Sequence, residues 1–413
     1  METSHYGEKS ICLPVTSEEE YEGLVHRTKD FRAYLVTMIE AHEELFPAEI
    51  KTGFRFHGFI ESKKLNITLR RILVMETGEA YQLRPDFVMP YMVGRAEEAA
   101  KGLALCHQGT SFETIVEVCG HNGPYWYRMY VSLGRVSLVG TTVKRVERLP
   151  KDLVVDEKHS WLLGEKIYLP TVVGGGVFLG VGVTNKADAA DLEAGYGEFK
   201  TEVLELDATY EPQTVNTDGW EATQIAWKRL FPTTTLILCF LHSILSVRDR
   251  GRSWPDCQIL IHHLWKAYRE KTEAEFRAAL SRIPALAAHL TLPDSVRVKT
   301  LELSAKVAHF ALAYQFPGAH RTSNAVDRLI NHQDRVLFAH QYFHGTPDSA
   351  RLSARAMALI SNFHPFGRRT HDQFPDKISP FVTLNGFQYH SHWLRNLLIA
   401  SSRGGKPPKH KIR

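Results

Sequence analysis

The strongest constraint on the fold is a series of short apolar runs and helical patterns between residues 150 and 240. Apolar and β-branched residues predict strands at 153–155, 166–173, 177–183, 203–206 with its flank, and 234–239. Gly174-Gly175-Gly176 separates two of these runs and is typical of a hairpin. Helical periodicity covers 187–200 and 220–230. The predicted order β-β-β-α-β-α-β indicates an α/β fold whose first three strands are antiparallel.

Three aspartates stand at the ends of predicted elements, where an α/β fold can gather ligands. Asp156 ends an apolar run, and Asp218 lies where a strand turns into a helix. Asp327 lies in Thr322-Ser323-Asn324-Ala325-Val326-Asp327-Arg328, which resembles a helix start. Carboxylates gathered at one point repel one another unless a hard divalent cation neutralises them. The three therefore predict a divalent-metal site suited to two-metal phosphoryl transfer on nucleic acid.

Other acids compete for these roles. Asp207 also follows an apolar run and could replace the second aspartate. Glu157 should point to the face of the sheet opposite its neighbour, which makes it the weaker ligand. Asp327 could instead be a first-turn residue of a helix capped at Asn324, where the helix dipole alone favours a negative charge. Glu302 is a rival third acid, although its setting is typical of an ordinary helix.

A Cys-x-x-His pair, Cys239 and His242, follows the last predicted strand of the α/β region. Together with Cys257 and His262 it gives C-x2-H-x14-C-x4-H, a spacing that could hold zinc. Neither half is a tight CxxC, however, so a structural pair is favoured, with a buried cysteine and a hydrogen-bonded histidine.

Residues 96–135 predict three short helices, the last preceded by a glycine-containing turn. This arrangement matches a helix-turn-helix module, and Arg128 and Arg135 would be its DNA contacts. An ordinary helical hairpin packed on a core would give the same pattern. Residues 1–95 predict a small α+β region whose role the sequence leaves open.

The helical stretch 243–315 is longer than a compact α/β core needs between the second and third aspartates, which predicts an insertion. The expected organisation is an N-terminal region at 1–95, a helix-turn-helix at 96–148, a catalytic core at 149–242 and 316–370 interrupted by the insertion, and a C-terminal segment at 371–413. We expect that segment to end in a flexible basic tail from Arg403.

The charge is uneven along the chain. Residues 241–413 carry 25 Lys and Arg against 12 Asp and Glu, a net +13, whereas residues 1–240 carry −9. Such asymmetry indicates either a polyanionic partner, most often nucleic acid, or simply a solvated surface. The five scattered cysteines argue against a disulfide framework and for a reducing cytoplasm, and no apolar run has the ~18 residues of a membrane span.

Taken together in order and spacing, these motifs resemble bacterial insertion-sequence transposases of the DDE/DDD superfamily, whose catalytic core is ribonuclease H-like. The matching stretches are Val154-Val155-Asp156-Glu157, Asn216-Thr217-Asp218-Gly219-Trp220, Cys239-x-x-His242 and the segment from Thr322 to Arg328. The Cys-x-x-His pair is similar to that of the Mutator-like group. The chain departs from the family at the third acid, which is usually Glu and here is Asp327.

The resemblance implies a DNA transposase that uses two Mg²⁺ or Mn²⁺ ions held by Asp156, Asp218 and Asp327. It also implies double-stranded DNA partners, namely element ends and target, and a homodimer or larger assembly in the cytoplasm, associated with the nucleoid. Two other functions remain open: a ribonuclease H-like nuclease that cleaves without joining, and a transposase-derived DNA-binding protein without catalysis.

Overall fold

The N-terminal region forms a four-stranded mixed sheet with two helices. The computed structural model describes residues 7–90 and 94–408. The elements of this region are β1 (Ser10–Leu13), α1 (Glu18–Val25), α2 (Thr28–Ala41), β2 (Phe54–Ser62), β3 (Ile67–Val74) and β4 (Ala80–Pro85). The sheet order is β1-β4-β3-β2, with β1 parallel to β4 and the other pairs antiparallel. The α+β character predicted for residues 1–95 is therefore correct for the described part.

Three helices occupy the stretch that the sequence assigned to three helices, and a short fourth follows. They are α3 (Ala96–His107), α4 (Phe112–Cys119), α5 (Gly123–Leu133) and α6 (Leu138–Thr142). Gly102 of α3 lies so close to Trp126 of α5 that an added Cβ would be 2.3 Å from the indole ring. Six of the eleven residues of α5 are buried, which leaves only a narrow exposed side.

The central sheet has five strands, and its elements follow the predicted order. They are β5 (Asp152–Leu162), β6 (Glu165–Gly174), β7 (Val177–Val181), α7 (Ala189–Leu206), β8 (Thr214–Thr217), α8 (Glu221–Leu230) and β9 (Thr235–Leu238). In the sheet the order is β7-β6-β5-β8-β9. The first three strands are antiparallel, as predicted, and β8 and β9 continue the sheet in parallel.

One strand prediction was wrong: residues 203–206 form the last turn of α7, and the fourth strand is Thr214–Thr217. The physical reason is helical spacing, because Leu192, Tyr196, Phe199 and Val203 all lie on one side of α7 and are buried in the core. The apolar run near 203 is therefore the end of a helix face.

A helical region follows β9 and has its own apolar cluster. It contains α9 (Phe240–Arg250), α10 (Pro255–Arg269), α11 (Glu273–Ser281), α12 (Ile283–His289), α13 (Asp294–Ala305) and α14 (Val307–Ala311). Helices therefore dominate the stretch between β9 and Asp327. No helix within the described residues is long and apolar enough to cross a membrane.

Five helices complete the chain: α15 (Asn324–Ala339), α16 (Pro347–Phe363), α17 (Arg368–Gln373), α18 (Pro380–Asn385) and α19 (Trp393–Ala400). Helix α15 packs along β5 and β6, while α16 contacts α3, α5, α6 and β7. Because α16 buries twelve of its seventeen residues, it forms the centre around which the N-terminal and C-terminal parts pack.

The C-terminal segment is packed where the sequence suggested a flexible tail. The Arg403 guanidinium donates to the carbonyl oxygen of Phe46, and Lys406 forms an ion pair with Glu8. Glycines allow the chain to turn here, since Gly405 has φ +74° and a Cβ on it would clash with α6. The tail prediction is thus corrected for 403–408, and its remainder, 409–413, lies outside the described residues.

Candidate active site

Parallel strand pairing places Asp156 beside Asp218. Val154 of β5 pairs with Asn216 of β8, and each aspartate follows its paired residue by two positions. Strand β8 ends at Thr217, so Asp218 begins the turn into α8, while β5 continues to Leu162. The two carboxylates therefore lie at equivalent positions near the carboxyl end of β8, where open α/β sheets bind ligands.

Glu157 faces the other side of the sheet, as the alternation of strand side chains predicted. It is buried, and it accepts hydrogen bonds from the hydroxyls of Tyr196 at 2.5 Å and Thr223 at 2.7 Å. Burial raises the pKa of Glu157 to about 7, and the two hydrogen bonds oppose the rise. This acid therefore joins α7 and α8 to the back of β5 and does not compete as a ligand.

Asp327 reaches the site from the first turn of α15. The helix begins at Asn324, with Ser323 in the capping position but without a side-chain capping bond. Instead, the Ser323 hydroxyl donates to Asp327 Oδ2 at 2.9 Å. The carboxylate is thus held by a residue four positions earlier.

The negative charges of Asp218 and Asp327 act on the Asp156 carboxyl. Burial, with smaller contributions from the negative charges of Asp218 and Asp327, raises the pKa of Asp156 to about 6. His242 and the backbone amide of Glu157 act in the opposite direction. Asp156 thus lies within electrostatic reach of both other carboxylates.

Cys239 and His242 link the end of β9 to the start of α15 through Ser323. The Ser323 amide donates to the Cys239 sulfur at 3.2 Å, and the Ser323 hydroxyl lies 3.5 Å from both that sulfur and His242 Nδ1. Asp327 completes this network through the same hydroxyl. The Cys-x-x-His pair therefore has a structural role, and it holds α15 against the sheet.

His242 also contributes charge. The hydrogen bond with Cys239, together with the negative charges of Cys239, Asp156 and Asp218, raises the pKa of His242 to about 9, and burial opposes this rise. For Cys239, burial favours the neutral thiol, but hydrogen bonds from His242 and Ser323 lower the pKa of the thiol overall. At neutral pH a protonated His242 therefore partly offsets the negative charge of the aspartates.

The second half of the zinc spacing does not join the first. Cys257 and His262 both lie on α10, but Cys257 is buried in the apolar cluster of the helical region and His262 is exposed. Five residues of helix turn the two side chains to different sides. Cys239 and His242 therefore contact Ser323 rather than Cys257 and His262.

The rival acids, Asp207 and Glu302, lie away from the candidate site. Asp207 follows α7 and accepts from Thr209, and the chain runs from there into the start of β8, opposite the end that carries Asp218. Glu302 is exposed on α13 and forms an ion pair with Lys299 at 2.9 Å. Neither is among the charges that act most strongly on Asp156.

The predicted DNA contacts lie outside this site. Arg128 is exposed on α5, and Arg135 is exposed two residues after the helix ends at Leu133. The sequence had placed Arg135 on the third helix, so its position is corrected to the following turn.

The oxygen donors suit a hard cation. Within 7–90 and 94–408, no group of three or more His, Cys, Asp or Glu side chains is arranged to hold an ion. Mg²⁺, however, is usually bound by one or two protein carboxylates, while water and substrate phosphates complete its octahedron. The side chains that would hold such an ion are those of Asp156, Asp218 and Asp327.

The role of Ser323 was not predicted from the sequence, although Ser323 lies in the segment from Thr322 to Arg328. Ser323 precedes Asp327 by four residues at the start of a predicted helix, and side chains at this spacing are neighbours on a helix. This spacing was the signal in the sequence. Comparison with protein-family models and with curated proteins found no match to this chain. Its function must therefore be inferred from the arrangement of its own side chains.

Proposed function

We propose that this chain is a metal-dependent DNA transposase of the DDE/DDD type. The observation that carries the proposal is the strand register that sets Asp156 beside Asp218, together with the effect of the Asp218 and Asp327 charges on Asp156, which a divalent cation would offset. Three antiparallel strands continued by two parallel strands in a five-stranded sheet support a ribonuclease H-like core.

In this proposal, Mg²⁺ or Mn²⁺ bound at the carboxylates would activate water or a DNA 3′-hydroxyl and stabilise the leaving oxygen. Asp156, on the rigid strand β5, fixes the centre of the site, and Asp218 stands on one side of it. Ser323 orients the shorter Asp327 side chain through its 2.9 Å hydrogen bond. A protonated His242 would partly balance the negative charge of the acids.

Double-stranded DNA is the proposed partner, held by basic residues such as Arg128 on the exposed side of α5. The buried side of that helix limits any groove contact to its exposed face. Because joining requires two element ends in one complex, we also propose a dimer or larger assembly on DNA.

The experiment replaces each acid by its amide. Asp156→Asn and Asp218→Asn should each abolish Mg²⁺-dependent cleavage of element-end DNA while leaving DNA binding intact, because the amide keeps the shape but loses the charge that holds a cation. Asp207→Asn is the matched control and should cleave normally. Asp327→Glu, which restores the usual family residue, should retain cleavage, whereas Asp327→Asn should lose it.

Cleavage that survives in both Asp156→Asn and Asp218→Asn would show that the catalytic assignment is wrong. A wild-type protein that binds DNA but never cleaves would favour the DNA-binding alternative. Cleavage without joining of a 3′ end to a target would favour the nuclease.

A further inference from the structure

The loop 316–323 leads from the helical region to α15, and hydrogen bonds hold its backbone against the central sheet. Asn216 of β8 donates from Nδ2 to the carbonyl oxygen of His320 at 2.9 Å. The amide of Phe240, the first residue of α9, donates to the carbonyl oxygen of Arg321 at 3.4 Å. The backbone just before α15 is therefore fixed both to β8 and to the start of α9.

The side chain of Arg321 reaches the C-terminal end of α10, in the helical region. Its guanidinium donates from Nη2 to the carbonyl oxygen of Tyr268 at 2.6 Å and from Nη1 to that of Glu270 at 3.4 Å. The last carbonyls of a helix have no partner within the helix and carry partial negative charge, so a cation is favoured there. One residue thus bonds to α9 through its backbone and to the end of α10 through its side chain.

Aromatic rings lie around the same guanidinium. Its central carbon, Cζ, is 4.4 Å from the ring centroid of Tyr314 and 4.8 Å from that of Tyr268. The ring of Phe276, on α11, is 5.7 Å away. Such rings attract a guanidinium through their π electrons. Arg321 is therefore held by α10, by α11 and by the turn 312–315 that carries Tyr314.

An arginine near the candidate site could instead bind a DNA phosphate. Arg321 is partly buried, however, and both terminal nitrogens of its guanidinium are bonded to carbonyl oxygens at the end of α10. A phosphate would have to displace those carbonyl oxygens. The contacts therefore favour a role inside the protein.

A short piece of chain connects Arg321 to the third aspartate. Ser323 follows Arg321 by two residues and donates its hydroxyl to Asp327 Oδ2 at 2.9 Å. Because two residues span at most about 7 Å even when extended, a displacement of Arg321 moves Ser323 and, through it, the carboxylate. The packing of Arg321 in the helical region is thus linked to the start of α15.

We propose that Arg321 is a positioning residue that ties the place of Asp327 to the helical region. Without its guanidinium, the loop 316–323 loses its bonds to α10, the first turn of α15 opens more often, and Asp327 is less often in place. The helical region thereby contributes to the candidate site without supplying a ligand. That Asp327 holds a metal ion there rests on the proposed function, whereas the link between Arg321 and α15 does not.

The first measurement is hydrogen exchange of the full chain in EDTA, read by mass spectrometry for peptides that cover the first two turns of α15. Arg321→Ala should speed exchange there roughly tenfold, the size expected when hydrogen bonds from a charged donor are lost. Arg297→Ala is the matched control and should leave exchange in α15 unchanged. Arg297 likewise donates to backbone carbonyls in the helical region, those of Ala287 at 2.8 Å and Leu290 at 2.7 Å, at the end of α12.

Wild-type exchange in Arg321→Ala would overturn the proposal. Equally fast exchange in Arg297→Ala would also overturn it, because general loosening of the helical region would then be the cause. If Arg321→Ala does not fold, Arg321→Lys decides, since lysine keeps the charge but lacks the planar fork that reaches both carbonyl oxygens. Faster exchange in α15 of this variant supports the proposal, and wild-type exchange contradicts it.

The second measurement is the binding of Mn²⁺ alone, followed by loss of the electron paramagnetic resonance signal of the free ion. Arg321→Ala should weaken binding roughly tenfold, as expected for a residue that orients a ligand from behind. In an Asp327→Asn background the same change should have no further effect, because both changes remove one ligand. Equal weakening in the two backgrounds would show that Arg321 does not act through Asp327.

The positioning role and the proposed function can fail separately. If wild type binds no Mn²⁺ but Arg321→Ala speeds exchange in α15, the link to α15 stands and the metal site is wrong. If Asp156→Asn abolishes Mn²⁺ binding and cleavage while Arg321→Ala changes neither exchange nor Mn²⁺ affinity, the proposed function stands and the positioning role is wrong.

Discussion

At the scale of single residues, the ionised Asp156 carboxylate in the candidate site lowers the stability of the folded protein. The pKa of Asp156 is raised from 3.8 to about 6 because the carboxylate is buried beside two other acids. A group whose pKa is raised on folding stabilises the folded state at low pH, and this contribution is lost as the pH rises through the folded value. Above about pH 6, the ionised Asp156 therefore weakens the metal-free protein.

Asp156→Asn should accordingly stabilise the metal-free protein while removing the proposed activity. At pH 7.5 in EDTA we expect a gain of roughly 1–3 kcal/mol in the free energy of unfolding, measured by urea denaturation. The gain should shrink towards pH 4, where wild-type Asp156 is itself protonated. Asp376→Asn, at an exposed position before α18, should change little. A variant less stable than wild type at pH 7.5 would contradict this account of the site.

At the scale of elements, the close packing of α7 on the central sheet depends on glycine. A Cβ on Gly195 would lie 2.7 Å from Pro170 Cγ and 2.8 Å from Thr184 Cγ2. Gly182 in turn lies against the backbone of Gly195. Gly197, on the same helix, has no atom within 4 Å of the position of its added Cβ. Gly195 and Gly197 thus share the helical backbone of α7 but differ in what surrounds them.

Gly195→Ala should destabilise the protein by roughly 1–3 kcal/mol, because the added methyl group must push α7 away from β6. Gly197→Ala should instead raise the free energy of unfolding by up to about 1 kcal/mol, because alanine loses less backbone entropy in a helix than glycine. Urea denaturation of both variants at one pH tests the pair. If the two changes have the same sign, packing of α7 on β6 is not the determining factor.

At the scale of the whole molecule, one apolar cluster joins regions that the sequence treated separately. It includes Phe31 of α2, Val154 of β5 and Leu397 of α19. A buried ion pair between Arg395 of α19 and Asp86 after β4, with N–O 2.7 Å, adds a polar link between the two ends of the chain. Residues 7–90 and 371–408 therefore contribute to the same core as the central sheet.

A group of partly buried histidines also connects these regions. His107 ends α3, His332 lies on α15, and His364 follows α16. His107 Nδ1 is 2.8 Å from His332 Nε2, and the rings of His107 and His364 are 4.5 Å apart. Burial, assisted by the neighbouring histidines and Arg335, lowers the pKa of His107 to about 2, and burial and Arg335 lower that of His332 to about 4.

The free energy of unfolding should therefore fall as the pH drops below about 6.5. The reason is that these histidines bind protons in the unfolded chain at a pH at which they stay neutral in the folded protein. For His107 alone the loss at pH 5 is about 2 kcal/mol. His107→Gln, which cannot be protonated, should flatten the dependence of the free energy of unfolding on pH between 5 and 7. His262→Gln, at an exposed position of α10, should leave the slope unchanged. Identical slopes for wild type and His107→Gln would exclude this role.

The sequence by itself determined the helices and strands in which apolar residues recur at a regular spacing. The order β-β-β-α-β-α-β, the opposite faces of Asp156 and Glu157, and the helical stretch after His242 all follow from local periodicity, which a single segment contains in full. It failed at 203–206 because a short apolar run does not distinguish a strand from the end of a helix.

Only the tertiary structure decided which of several acids meet. Asp207 and Asp218 both follow apolar runs in the sequence, and it is the register of β5 with β8 that places Asp218 beside Asp156. Long-range contacts likewise link Ser323 to Cys239, pack the chain around Arg403 against Phe46, and bring Trp220 against Tyr168. Such pairings depend on distances between segments far apart in the chain, and local sequence patterns do not contain those distances.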